Sequence, residues 1–204
     1  MTRLPTPPLL AITDRRQAVL PLPDLADRLF AAGLRWLSLR EKDLPGAEQL
    51  ALARALLERA RPWEALVLVH GDAHLARAAG AGGVHLPEGG DPVEARRILG
   101  PGALIGLSAH GAEGLRRAAE AAADYATLSP VFPSASKPGY GPALGVEGLR
   151  SLVAGAGLPV VALGGVDESG AAACMAAGAA GAAVMGPLMR DPARLSSMLG
   201  AVAG

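Results

Sequence analysis

Eight short apolar runs, each followed by a stretch of helical periodicity, constrain this chain more than any other feature. The runs are LLAIT (9–13), WLSLR (36–40), ALVLV (65–69), GVHL (83–86), LIGLS (104–108), YATLS (125–129), PVVAL (159–163) and AAVMG (182–186). Between them, stretches such as LADRLFAAG, AEQLALARALLERA, PVEARRILG and AEGLRRAAEAAA space their apolar residues as an amphipathic helix does. Near-continuous apolar strands alternating with helices read as a parallel sheet covered on both faces. Eight strand–helix units, with DPARLSSMLG as the eighth helix, fit a closed α/β barrel within 204 residues. A doubly wound open sheet is the alternative, and the compact spacing favours the barrel. No linker or shift in composition divides the chain, so residues 1–204 read as one domain. Several helical stretches end in Gly, a common C-cap. Asp24, Asp72, Asp91 and Asp167 stand just before predicted helices, where a carboxylate accepts otherwise unpaired backbone N–H groups.

Composition narrows the function classes. Half of the residues are hydrophobic but only 3% are aromatic, so the core is expected to be Ala, Leu and Val. The 19 basic and 19 acidic side chains cancel, which argues against a general nucleic-acid or membrane-surface binder. A small phosphorylated ligand needs only backbone amides and one or two cations, and stays open. Cys174 is the one cysteine, so no intrachain disulfide forms, and its Ala-rich helical surroundings suggest a small buried hydrophobe. The N-terminal apolar run is too short for a signal peptide, and no window reaches the roughly 18 apolar residues of a membrane span. A soluble cytoplasmic protein is expected.

Barrel active sites lie at the C-terminal ends of the strands, so the polar residues there carry the information. After the second strand comes SLREKD. Strand alternation puts Ser38, Arg40 and Lys42 on one face, and two cations at the mouth suggest an anionic ligand; an ordinary charged loop is the competing reading. After the seventh strand Gly164 and Gly165 precede a helix. After the eighth comes VMGPLM, with Val184, Met185 and Gly186. Backbone N–H groups of these two loops make the usual phosphate site of such barrels. His70, His85 and His110 fall at or just past strands three, four and five. His70 and His74 have the spacing of two zinc ligands, but no acid or cysteine completes a site, so no metal is assigned. His85 reads either as a satisfied core residue or as a support to the site. His110 opens a helix, where a near-neutral imidazole can move protons.

Together, LREK, GVHL, IGLSAH, SPVFPSASK, ALGGV and AVMG resemble the thiamine-phosphate synthase family and its TenI-type relatives, in order over residues 9–192. The resemblance implies a phosphate-binding (β/α)8 TIM barrel. It also implies that the long segment after strand six grips a phosphorylated ligand through Ser134, Ser136 and Lys137. The family holds two chemistries. The synthase joins a pyrimidine pyrophosphate to a thiazole phosphate, with Mg²⁺ stabilising the departing pyrophosphate. Its pattern has Asn-Asp after strand three and a Gly-Gln-Glu-Asp-like run after strand four. Here those positions read His70-Gly71 and PEGGD, with Gly90 at the second acid and Ser38 in place of a Gln. Glycine offers no oxygen side chain to Mg²⁺. Asp72 and Asp91 stand one residue off and read as helix caps, unless a local shift brings them in.

TenI-type proteins lack these acids and act as thiazole tautomerases, without metal or cofactor. On that branch His110 matches the catalytic histidine, Arg40 and Lys42 neutralise a substrate carboxylate, and His70 joins the substrate-binding set. Gly164, Gly165 and Gly186 then hold the phosphate of a small-molecule thiazole phosphate. The sequence therefore points first to an isomerase, a thiazole tautomerase of thiamine biosynthesis. The alternatives are an active Mg²⁺-dependent synthase and a non-catalytic thiamine-phosphate-binding regulator. Short barrels of this kind often pair, which leaves a homodimer open.

Overall fold

The computed structural model describes residues 4–133 and 142–203. Eight parallel strands close into a barrel in sequence order: β1 (Leu9–Ile12), β2 (Trp36–Leu39), β3 (Leu66–His70), β4 (Gly83–Leu86), β5 (Leu104–Ala109), β6 (Tyr125–Leu128), β7 (Val160–Leu163) and β8 (Gly181–Val184). Closure comes from β1, which pairs with β2 through Ala11–Leu37 and with β8 through Leu10–Ala183. The expected α/β barrel, a (β/α)8 TIM barrel, is the observed fold.

The helices are α1 (Leu22–Ala31), α2 (Gly46–Ala60), α3 (Ala73–Ala79), α4 (Pro92–Leu99), α5 (Ala112–Glu120), α6 (Gly145–Val153), α7 (Glu168–Ala176), α8 (Gly186–Arg190) and α9 (Leu195–Ala203). The eighth helical unit differs from expectation. A five-residue α8 follows β8 directly, and DPARLSSMLG starts as a 3-10 turn at Pro192–Arg194 before becoming α9. Asp72, Asp91 and Asp167 cap α3, α4 and α7, accepting from the N–H groups of Leu75 (2.9 Å), Glu94 (3.0 Å) and Gly170 (2.8 Å). Asp24 does not cap. Pro21 occupies that position of α1, and Asp24 sits inside the first turn, where its charge favours the positive end of the helix dipole.

Strand alternation divides the core into two layers. Leu37, Leu39, Val67, Val69, Ile105 and Leu107 face outward against the helices. Leu10, Trp36, Leu68, Leu104, Tyr125 and Val161 fill the barrel interior. Two large rings fit this narrow interior because a neighbouring strand supplies no side chain. A Cβ on Gly106 would lie 2.2 Å from the Tyr125 ring and 2.5 Å from His85 Nδ1. Outside the barrel, Asp124 joins three elements, accepting from the Ile105 N–H and from Arg96, each at 2.7 Å. Cys174 is buried in α7, and burial raises its thiol to about 11, as its apolar surroundings predicted. Among the described residues, no helix is long and apolar enough to cross a membrane.

Candidate functional site

The inward positions nearest the C-terminal ends of the strands form the floor of the mouth. Ser38, His70, His85, Ser108 and Thr127 come from five consecutive strands, β2 to β6. Completing the circle, β7 and β1 contribute Leu163 and Ile12, and Met185 follows directly on β8. The floor is therefore polar on one side and apolar on the other, the mixed lining usual of small-molecule sites.

His85 anchors the polar side. It is 2% exposed, with Nδ1 2.9 Å from the Tyr125 hydroxyl and Nε2 3.0 Å from Ser108 Oγ. The Thr127 hydroxyl lies 3.3 Å from the same Nε2. Burial pushes His85 down to about 4, so it is neutral at physiological pH. Its ring lies 5.2 Å from that of His70. Burial, His85 and the charges of Arg40 and Lys42 together push His70 down to about 2. Among the described residues, the buried side-chain atoms without a hydrogen-bond partner are Trp36 Nε1, Ser38 Oγ and His70 Nδ1. Unpaired buried polar atoms are costly, and those of Ser38 and His70 lie on the inward faces of adjacent strands.

Arg40 follows Ser38 at the rim, held by its N–H donating to Thr13 Oγ1 at 2.8 Å. Beside it, buried Glu41 accepts from the Arg15 N–H at 3.1 Å, tying the first two mouth loops together. Across the rim, His110 donates from Nδ1 to the Ser129 carbonyl at 2.7 Å. That bond assigns the proton to Nδ1, leaving Nε2 3.9 Å from Glu88, which also pairs with Arg117.

Gly164 and Gly165 both have positive φ, 95° and 64°. They also admit the loop after β6, whose Val131 and Phe132 N–H groups donate to the Leu163 and Gly164 carbonyls, each at 2.9 Å. A Cβ on Gly165 would lie 2.4 Å from the Pro133 carbonyl, so this glycine serves packing whether or not a phosphate approaches. The start of α7 already holds the Asp167 carboxylate. Val184 points outward into the core and Met185 inward, while Gly186 lies against the Arg190–Gln17 hydrogen bond. Ser134, Ser136 and Lys137 lie outside the described residues. His70 ends β3, while His74 is exposed on α3, so the two histidines do not share one helix face.

Tyr125, Ser108 and Thr127, the hydroxyl partners of His85, are not evident in the sequence. The available signals were a glycine inside LIGLS and one of only two tyrosines in an aromatic-poor chain. A second cavity, of about 450 Å³, opens at the opposite end of the barrel against Arg35, Trp63 and Leu104, away from these groups.

The residues do not fit the Mg²⁺ that the synthase pattern implies. Gly71 and Gly90 stand at the two acid positions, and the nearby Asp72 and Asp91 cap helices. Among the described residues, no three His, Cys, Asp or Glu side chains gather in a way that could hold a metal.

Fold and mouth define a (β/α)8 barrel with cations at the rim and a half-polar floor. The thiamine monophosphate synthase family model matches residues 9–188, and the chain belongs to that family. It is 42% identical to a putative thiamine-phosphate synthase of Geobacter sulfurreducens, over 90% of this chain and 87% of that one. It is also 42% identical to the thiamine-phosphate synthase of Myxococcus xanthus, over 89% of this chain and 84% of the relative. A solved structure of thiamine phosphate pyrophosphorylase from Pyrococcus furiosus superimposes with a TM-score of 0.84 at 29% identity, covering 96% of this chain and 95% of that one.

These comparisons correct the expected activity. The relatives carry the name of the transferase, so the thiazole tautomerase, and with it the isomerase class, is overturned in favour of the synthase alternative. The physical reason lies in what the tautomerase reading rested on. Two missing carboxylates remove metal ligands, but their absence installs no proton-transfer chemistry.

Proposed function

We propose that this protein is a transferase that joins a pyrimidine pyrophosphate to a thiazole phosphate, giving thiamine phosphate and pyrophosphate. The observation that carries this reading is the family match over residues 9–188, together with relatives 42% identical that are named for the reaction. The bond between the pyrimidine methylene carbon and the diphosphate oxygen breaks, and the diphosphate leaves with its electron pair. The thiazole nitrogen supplies the pair for the new carbon–nitrogen bond. No proton has to move.

On this reading Arg40 and Lys42 face the diphosphate, whose negative charge grows as it departs. Ser38 and His70 supply hydrogen bonds beneath it. Ser108, oriented by His85, meets the polar edge of the pyrimidine, and Ile12, Leu163 and Met185 give the rings an apolar wall. The backbone at Gly164, Gly165, Val184, Met185 and Gly186 takes the thiazole phosphate, helped by Ser134, Ser136 and Lys137. His110 becomes a positioning residue that fixes Ser129 at the root of the loop after β6. Cys174, a single buried thiol, is consistent with a cytoplasmic site of action.

The test is to supply both substrates to the full chain and follow thiamine phosphate by conversion to fluorescent thiochrome. Product should form, and Arg40→Ala should lower kcat/KM by about 10²-fold, the usual effect of removing a group that stabilises developing charge. No product, with or without Mg²⁺, overturns the reading.

A further inference from the structure

We propose that the anion end of this mouth works without a resident divalent cation, with Arg40, Lys42, Ser38 and His70 meeting the phosphate or diphosphate directly. The inference rests on the proposed condensation and concerns how its leaving group is held. It begins with the two loops where the family pattern has acids. Gly71 sits at φ 90°, a conformation that L side chains rarely adopt, and its N–H donates to the His85 carbonyl at 2.8 Å. Gly90 closes a tight turn through its N–H to the Pro87 carbonyl at 2.9 Å. A Cβ there would lie 2.8 Å from Leu86 Cβ. Both backbones are set for glycine, beyond merely lacking a carboxylate.

The other carboxylates of these loops already have partners. Asp72 and Asp91 cap α3 and α4, Glu41 accepts from Arg15, and Glu88 pairs with Arg117. Asp43 receives two nitrogens of Arg15 at 2.8 and 2.7 Å, and the guanidinium holds its carboxyl well below the usual range. Mg²⁺ at a phosphate site takes one or two protein carboxylates beside water and ligand oxygens, and each carboxylate these loops keep is already tied to a backbone N–H or a guanidinium.

What the same region does offer suits an anion. Arg40 and Lys42 act together on His70, and a positive field repels a divalent cation while attracting a phosphate. Ser38 is 1% exposed and its hydroxyl has no partner, and His70 Nδ1 is likewise buried and unpaired. A neutral imidazole and a hydroxyl can donate to phosphate oxygens without adding charge, and the two cations supply the charge.

Isothermal titration of the full chain with inorganic pyrophosphate, first in EDTA and then in millimolar Mg²⁺, tests this directly. The affinity should change by less than about threefold between the two conditions. Arg40→Ala and Lys42→Ala should each weaken binding by about tenfold or more in EDTA, the usual loss for a charge-assisted contact. Ser38→Ala should weaken it by a smaller factor. Pyrophosphate binding that disappears in EDTA, or that never occurs, overturns the inference, as does thiamine phosphate formation that stops when EDTA is added. Failure of the condensation under both conditions removes the proposed function instead, and the pyrophosphate titration still decides the question of the metal.

Discussion

His85 has a hydroxyl partner at each ring nitrogen and no neighbouring carboxylate among its hydrogen-bond partners, so protonation disrupts a closed network. Its ordinary value of 6.5 falls to about 4 in the folded protein. Because the folded value is depressed, its stabilising effect is complete above pH 6.5 and drains away as the pH falls toward 4, where the unfolded chain binds the extra proton. Between pH 7 and pH 5 this one group should cost about 2 kcal/mol of unfolding free energy. Denaturant titrations of His85→Gln should show a pH dependence smaller by that amount, and an unchanged dependence would mean another group is responsible. Gly106 makes the same network possible by its missing side chain. Gly106→Ala should destabilise by about 1–3 kcal/mol, the usual range for overpacking, because the Tyr125 ring and His85 must both shift. Equal midpoints in urea for the variant and the parent protein would contradict that account.

The helix caps at Asp72 and Asp91 separate a structural role from a metal-binding one. Asp91→Ala should cost about 1 kcal/mol by chemical denaturation, as the loss of a cap does, and leave any response of turnover to EDTA unchanged. A loss of Mg²⁺ response in that variant would make Asp91 a ligand. The strands were legible in the sequence because a strand buried on both faces reads as a continuous apolar run, and three of the four caps because Asp before a helix has a local chemical purpose. Asp24 misled because Pro21 and Pro23 move the start of α1 forward. The short α8, GPLMR, carries too few turns to show a period. At the mouth, alternation along one strand placed Ser38, Arg40 and Lys42 on one face, and His70 was placed only by its position at the end of the third apolar run. The grouping of Tyr125 with His85 and Ser108 could not be placed this way, because those contacts span 40 and 23 residues and depend on barrel closure. The activity was not legible because the departures from the synthase pattern, Gly71, Gly90 and Ser38, are few against resemblance along the rest of the chain, and a histidine at position 110 does not by itself establish proton transfer.

At the scale of the molecule, the closed ring of strands leaves no open sheet edge, and the connecting segments hang from the rim. The longest of these leaves and returns through a tied neck. Leu144 N–H donates to the Pro130 carbonyl at 3.0 Å and Gly145 N–H to the Val131 carbonyl at 2.8 Å, while Val131 itself is bonded to β7. Replacing residues 134–141 by a four-residue Gly–Ser linker should change unfolding free energy by less than about 1 kcal/mol, since halving a loop alters its closure cost by only a fraction of that. Thiamine phosphate formation should be lost with Ser134, Ser136 and Lys137. A large drop in stability would show that the barrel depends on what lies beyond the neck. The same neck has a consequence for how such a protein can diversify. Because both ends of the segment are fastened to each other and to the barrel, its length is free to vary independently of strand register. The segment can then change by insertion and deletion, steps far larger than point substitution, while the eight strands beneath stay as they are.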